Sequence, residues 1–571
     1  MSSLNFSSGE ISVLPALAFS SGQLSPTFSS EETDYSSEVS FFVHSVHITA
    51  VAADPDSSLS VNGESVNSGE LSSEISLAEG VNPIEIVVSR GGLSTTYTLR
   101  LERDSASQFA EQAYLKASQI DESDWFGARI SLSGDILAVG VPSEDSGNPD
   151  DPADNSLSSS GAVYIFERSG NEWIKTAYLK ASNLEENDFF GGSVSLSGNT
   201  LAVGAPSEDS SDPLDKNDNN ASKSGAVYIF ERDGNGAWSE TAYLKASNLD
   251  NDDLFGGSIS LSGNTLAVGA TGEDSGDPNN PMDNNALRSG AVYVFERDNN
   301  GAWSETAYLK ASNIGGDKTD IFTHPGDEFG SFVSLSGGIL AVGVPHEDSR
   351  NPGEPVDDCV VNPTPGTPPP TNCAKDSGAA YIFERDNNGN WTETAFLKPS
   401  ITYYDGFSGF LFGFGISVSG DTLAVGAFGE NFDGEQNYGG AVYVFQRQNN
   451  TWIRQAYLKA LGQAFGYSVG LSGDTLAVGN IEDRSRNPHD PRDTSASRSG
   501  AVYTFQRSGE VWAIRDYIKA SNLQAGDWFG SQVSLSGDTL AVSAWFEDSG
   551  DSDNKEDNSA LDSGAVYVFT E

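Results

Sequence analysis

The sequence predicts an all-β protein: a small β-sandwich followed by a seven-bladed β-propeller of four-stranded antiparallel blades. Three observations carry this. One pattern recurs seven times from about residue 105 to the end. Each copy holds short apolar runs bounded by Gly, Ser, Asn and Asp, the residues that punctuate β-hairpins. The two ends of the repeated region carry complementary fragments of one copy, as a closed ring requires.

Residues 1–15 show no periodicity and read as a loose tail. Residues 16–103 read as a separate β-domain. Apolar and polar residues alternate in Ile84-Glu-Ile-Val-Val88 and Tyr97-Thr-Leu-Arg-Leu101, with turns at Glu79-Gly80 and Gly91-Gly92. A sandwich of this size can bury its own core.

Residues 105–571 hold the repeat. Its clearest copy runs from Phe190-Gly191 through Leu201-Ala-Val-Gly204-Ala205-Pro206. An acidic loop follows, then Gly225-Ala-Val-Tyr-Ile-Phe-Glu-Arg232, Trp238 and Ala242-Tyr-Leu-Lys-Ala-Ser247. Four strand-like runs lie in this copy: Ser193–Leu196, Thr200–Ala205, Ala226–Glu231 and Trp238–Ala246. The turn Ser197-Gly198-Asn199 suits a tight hairpin, because Gly and Asn tolerate positive φ. The fourth-strand motif starts at Ala113, Ala177, Ala242, Ala307, Ala395, Ala456 and Asp516. Its first copy stands alone, and the last unit stops at Phe569 without a fourth strand. The stretch near residues 110–118 is therefore expected to complete the final blade and remove two open edges. The alternative, an open solenoid, would carry atypical capping repeats. The repeated Trp173, Trp238, Trp303, Trp391, Trp452 and Trp512 read as blade packing. So does the repeated Lys, whose stem can cover apolar surface.

Phe-Gly, then Gly-Ala-Pro, then Gly-Ala-Val-Tyr-Ile-Phe resembles the FG-GAP repeat of integrin-α-type β-propellers, in its bacterial branch. Literal Gly-Ala-Pro occurs at Gly204–Pro206 and drifts to Gly-Val-Pro at Gly140 and Gly343, Gly-Ala-Thr at Gly269 and Ser-Ala-Trp at Ser543. In the animal repeats the resemblance implies Asp-x-Asp-x-Asp-Gly calcium loops between the first two strands. Here that connection is Ser-Gly-Asp-Thr or similar, so those sites are not carried over. Leu24-Ser-Pro-Thr-Phe28, Asp34-Tyr35 and Thr96-Tyr-Thr-Leu-Arg-Leu101 resemble the bacterial cadherin-like β-sandwich. That resemblance implies a spacer or adhesion module.

The chain carries 31 Lys and Arg against 82 Asp and Glu, a net charge of −51. Such a field repels nucleic acids and anionic lipid, which excludes both as partners. No apolar stretch approaches the length of a membrane span. The first Lys or Arg is Arg90, so the N-terminus lacks a signal pattern; a removed signal is the expectation. Cys359 and Cys373 share one Pro-rich loop of the fourth unit. A disulfide between them is expected, pointing to an oxidising, extracellular or cell-surface location; two free surface thiols are the alternative.

The second-to-third and fourth-to-first connections of a propeller share one face, and both are acidic here. The second-to-third loop places oxygen ligands at every third position. They are Asp145, Asn148, Asp151 and Asp154; Asp209, Asp212, Asp215 and Asp218; Asp274, Asp277 and Asp283; Asp348, Asn351 and Asp357; Asp483, Asn487, Asp490 and Asp493; and Asp548, Asp551 and Asp557. Hard oxygens spaced by Pro and Gly suit Ca2+, which accepts six to eight ligands in irregular loops. Surface carboxylates that hold water in high salt, or that shape local turns, give the same composition. An acid also stands two residues before Phe-Gly at Asp124, Asp188, Asp253, Asp327 and Asp527.

The fifth unit departs from this pattern with an aromatic sector: Tyr403, Tyr404, Phe407, Phe410, Phe432 and Tyr438. The sixth adds Tyr467 and replaces the acid with Gln463. Exposed rings amid carboxylates read as a recognition site for a glycan or protein; rings filling the gap of a shortened loop are the alternative. His44, His47, His324, His346 and His489 occupy non-equivalent positions, and no phosphate loop, His-Glu-x-x-His or Gly-x-Ser-x-Gly occurs. No catalytic constellation recurs. The expected function is extracellular binding or adhesion with calcium stabilisation. A carbohydrate-active enzyme with two convergent carboxylates and a self-associating surface-layer or filament subunit are the alternatives.

Overall fold

A computed structural model describes residues 13–20, 23–39, 41, 43–104, 109–313, 326–349, 376–399, 409–430, 439–460 and 464–571. Regular structure among them is entirely β, with no helix. Two compact units form. One comprises Met1–Gln108 with Ile514–Asp516; the other comprises Phe109–Ala513 with Tyr517–Glu571.

In the smaller unit a five-stranded sheet runs in the order Asp34–Val39, Leu93–Arg103, Gly80–Arg90, Ser58–Val61, Glu64–Val66. Its first pair is parallel and the rest are antiparallel. Two-stranded sheets pair Ala16–Phe19 with Ile48–Val51 and Ser45–Val46 with Ile75–Ser76. The alternation read from the sequence buries Ile84, Ile86, Val88, Tyr97, Leu99 and Leu101 in one core. Residues 13 and 14 belong to it as well. Leu14 is fully buried, its amide donates to the Tyr97 hydroxyl at 3.0 Å, and Val13 accepts from the Ala53 amide at 3.1 Å. Residues 13 and 14, inside the stretch expected to be a tail, are thus packed into the domain; residues 1–12 lie outside the described residues.

The larger unit contains seven four-stranded antiparallel sheets among the described residues, each in sequential strand order except the last. The second is typical: Ser193–Ser197, Thr200–Ala205, Ala226–Arg232, Trp238–Leu244. The seventh joins Val533–Ser536, Thr539–Ala544 and Ala565–Thr570 to Ala110–Leu115, with Tyr114 opposite Tyr567. This repetition is that of a propeller-like fold.

Backbone approach between successive sheets explains the recurring glycines. Gly225 has φ +79°, and a Cβ there would stand 2.0 Å from the Phe255 carbonyl oxygen of the third sheet. A Cβ on Gly204 would meet the Gly256 carbonyl oxygen at 2.1 Å. Only glycine lets the two backbones approach this closely. The Phe inserts between sheets: Phe255 lies edge-on to Tyr293 and Phe295, and its core includes Val227 and Ile229 of the second sheet. Between sheets seven and one the Phe126 amide donates to Ser563 at 3.0 Å, and Val566 and Val568 share a core with Leu137 and Val139.

Serines of six of the seven first strands add a second tie; the sixth has Gly470 at that position. Ser131, Ser195, Ser260, Ser334 and Ser417 accept from the amides of Leu196, Leu261, Leu335, Val418 and Leu471 in the next sheet, at 2.9–3.1 Å. Ser534 accepts from Leu132 at 2.9 Å. The first strands of all seven sheets line one narrow cavity of about 190 Å3.

Candidate functional site

The fourth-strand motif places Tyr and Lys two residues apart, on one face of a strand. Both reach the first acid of the second-to-third loop. In sheet two, Tyr243 donates to Glu208 Oε1 at 2.7 Å, and Lys245 Nζ donates to Glu208 Oε2 at 2.8 Å and Ser224 Oγ at 2.6 Å. Both charged side chains are at most 2% exposed. Lys180–Glu144, Lys310–Glu273, Lys398–Glu347, Lys519–Asp483 and Lys116–Glu547 repeat the pair. Burial pulls each of these lysines below its ordinary pKa, against the attraction of its carboxylate. The repeated lysine is thus half of a buried ion pair, which corrects its reading as a stem covering apolar surface. In sheet five, Glu430 accepts instead from Tyr443 and Tyr457 at 2.8 and 2.6 Å.

The acids that follow shape turns. Asp145 Oδ1 accepts the Ser159 amide at 2.7 Å, Asn148 Oδ1 that of Asp150 at 3.1 Å, and Asp151 Oδ1 that of Ala153 at 3.1 Å. Asp154 Oδ2 accepts the Gly147 amide at 2.8 Å. Backbone bonds from Asp151 to Asn148 and from Asp154 to Asp151 make successive turns, so the three-residue period is a turn period. Asp209, Asp212, Asp215 and Asp218 do the same, as do Asp274, Asp277 and Asp283. So do Asn487, Asp490 and Asp493, and Asp548, Asp551 and Asp557. Asp348 accepts the Asp376 amide at 2.6 Å; Asn351 and Asp357 lie outside the described residues. In the sixth loop the register differs from expectation. Asp483 is the lysine's partner, and Arg484 stands where the other loops have Asp145 or Asp209. Among the described residues no three His, Cys, Asp or Glu side chains converge as a metal site.

The acids before Phe-Gly are buried, which the sequence did not signal. Asp124, Asp188, Asp253 and Asp527 are at most 6% exposed, and desolvation pushes each up to about 8. Neighbouring carboxylates add to this at Asp188 and Asp527, foremost Glu208 and Glu547. Asp188 Oδ2 and Asp527 Oδ2 are buried and accept no hydrogen bond.

Of the six expected ligand-binding aromatics, Tyr403, Tyr404, Phe407, Phe432 and Tyr438 lie outside the described residues, as do Cys359 and Cys373. Phe410 is half-buried. The same sector nevertheless holds a cavity of about 740 Å3 whose lining includes Leu411, Phe428, Tyr467, Ile481, Arg484, Arg498 and Trp528. Its rings belong to a continuous arc. Phe332 and Phe414 stand 4.8 Å apart, Phe414 and Tyr467 4.9 Å, Phe428 and Tyr467 5.3 Å, Tyr467 and Trp528 6.4 Å, and Trp528 and Phe546 4.8 Å. Sequence reasoning missed Phe428, Trp528 and Phe546; Phe428 and Phe546 follow second strands and Trp528 precedes the Phe-Gly of the seventh sheet. Tyr467 also lines the narrow cavity between the first strands. Arg129 lines that cavity too, with its guanidinium 5.6 Å from the Trp545 ring centroid.

Comparison with known proteins gives two family matches. The cadherin-like beta sandwich domain model matches residues 10–104. The FG-GAP repeat model matches residues 109–166, 173–230, 238–295, 391–445, 459–505 and 512–569, more than half of the chain. A curated protein of Evansella cellulosilytica, named "Putative membrane protein", is 36% identical over 131 residues, covering 22% of this chain and 20% of that protein. The chain therefore matches about a fifth of that relative's length. No helix among the described residues is long and apolar enough to cross a membrane. A crystal structure of a protein from Lactobacillus plantarum aligns at TM-score 0.39 and 12% identity, covering 76% of this chain and 91% of that one.

Proposed function

Since the chain belongs to the FG-GAP repeat family and carries a cadherin-like module, we propose that it is an extracellular or cell-surface binding protein, and that its seven sheets are the blades of a closed propeller. The observation that carries the binding reading is the cavity of about 740 Å3 at sheets five to seven, where Phe428, Tyr467 and Trp528 stand on a face otherwise dense in carboxylates. Half-buried rings flanked by arginines are the composition of recognition surfaces. The ring reading is supported by the Ala110–Leu115 pairing with Ala565–Thr570, by the serine ties and by the shared axial cavity.

A glycan and protein array, probed with and without calcium, tests the function. A ligand should be found whose capture falls when Trp528→Ala or Tyr467→Ala is introduced at nearly unchanged melting temperature. Capture indifferent to both substitutions would move the site elsewhere.

Calcium stabilisation is a separable part of the proposal. It is supported by the carboxylate density of the loops and by the buried, unbonded oxygens of Asp188 and Asp527 beside Glu208 and Glu547. The turn hydrogen bonds supply a metal-free account of the spacing.

A further inference from the structure

We propose that the axial cavity is a subsite for the carboxylate of an acidic sugar, a uronate, whose ring lies against the adjoining aromatic arc. The inference rests on the binding role proposed for this face and adds the charge and class of its ligand.

Among the described residues Arg129 is the sole charged side chain lining the axial cavity. The corresponding positions of the other sheets carry Ser193, Ser258, Phe332, Gly415, Ser468 and Gln532. The chain has 82 acids for 31 Lys and Arg, and most of its arginines lie beside a carboxylate. Arginines of the third strands are paired in four sheets, Arg232 with Glu167, Arg297 with Glu231, Arg385 with Glu296 and Arg447 with Glu384, while Arg168 of the first sheet donates to the Gly170 carbonyl. Arg129 has no carboxylate within ion-pair distance among the described residues. Its protein hydrogen bond goes to the carbonyl of its own neighbour Ala128, at 2.8 Å. A guanidinium offers five donors in a planar fork that matches a carboxylate. Most of that fork is left for a ligand.

The surroundings favour an anion that carries a ring. The volume of about 190 Å3 lies below the range of drug-sized pockets and leaves room for one small ring. Tyr467 is shared with the cavity of about 740 Å3, so a longer chain can continue from one to the other. The loop beside that second cavity is the one whose acids are offset. Glu482, Asp483, Asp490 and Asp493 are matched by Arg484, Arg486, Arg492 and Arg498. A peptide carboxylate would satisfy the fork but has no sugar face to lay on Phe414, Tyr467 and Trp528. The net charge of −51 opposes an anion at long range, but physiological salt screens that field beyond about 8 Å.

The test uses the intact chain with oligomers of galacturonate and glucuronate and their methyl esters, read by calorimetry and tryptophan fluorescence. The acid form of one oligomer should bind at least about tenfold tighter than its ester, a difference of about 1.4 kcal/mol. Arg129→Gln should abolish that preference while leaving ester binding and melting temperature unchanged. Arg129→Lys should retain part of it, since an ammonium keeps the charge without the fork. Equal affinity for acid and ester, or an acid preference that survives Arg129→Gln, overturns the inference. An aspartate-containing peptide bound as tightly as the uronate overturns the sugar assignment. A ligand that depends on Trp528 but ignores Arg129 leaves the proposed function standing and removes this subsite. If no ligand depends on either residue, both fail.

Discussion

The backbone amide of Leu132 donates to the Ser534 hydroxyl at 2.9 Å, across 402 positions of sequence. The same bond joins Leu196 to Ser131, 65 positions apart, within the run of the repeat. One local contact thus serves both between consecutive repeats and between the two ends of the repeated region.

Removing residues 109–116 takes away the strand Ala110–Leu115 and the Lys116 partner of Glu547. The seventh sheet then keeps three strands and gains an open edge. The shortened chain should aggregate or lose cooperative unfolding, seen by size-exclusion chromatography and thermal melts. A monomer that melts like the parent would refute closure by this strand.

Lys245→Met alone should cost about 3–5 kcal/mol, because it strands the Glu208 carboxylate in a buried site. Combining it with Glu208→Gln should recover most of the loss, since the amide can still accept from Tyr243 and no charge remains. Urea titrations of both variants check this. A double variant no better than the single one would mean that the pair contributes more than the charge it neutralises.

Asp188 titrates near 8 in the folded chain and near 3.8 when unfolded. Between those values the folded state holds a proton that the unfolded state has released, so stability falls as pH rises and levels off above about 8. The contribution of this group is complete below about pH 4. In chelator, Asp188→Asn should match the parent at low pH and exceed it at pH 8–9. Asp124, Asp253 and Asp527 act in the same direction. A stability gap that does not widen with pH would contradict the assignment.

Calcium at millimolar concentration should raise the melting temperature beyond magnesium or sodium chloride at matched ionic strength, as expected of a ligand that favours the folded state. Equal effects of all three would reduce the stabilisation to screening of charge. Asp209→Ala should then cost only its bond to the Lys223 amide.

Strand order, turns and the orphan first strand were legible because period-two alternation and the Gly-rich turns are local signals. The buried pairs were not. Lys245 and Glu208 lie 37 positions apart, and their charges read as surface residues until the strand brings them together. The acidic loops are ambiguous for a related reason: ligation and turn formation both need an oxygen at fixed intervals, and Asn148, Asp151 and Asp154 satisfy either. In the sixth loop the register is shifted, so that Asp483 pairs with Lys519 rather than opening a turn. Trp528 joins Tyr467 and Phe546 only through the meeting of sheets six and seven.

The pairing of Ala110–Leu115 with Ala565–Thr570 also sets a schedule for the nascent chain. That strand leaves the ribosome about 450 residues before its partner does, and over that interval its edge waits without a neighbour while six sheets can form behind it. At about 5–20 residues per second the wait lasts on the order of half a minute or more. The quality of the finished molecule therefore depends on how well that short segment is kept from strangers before its partner appears.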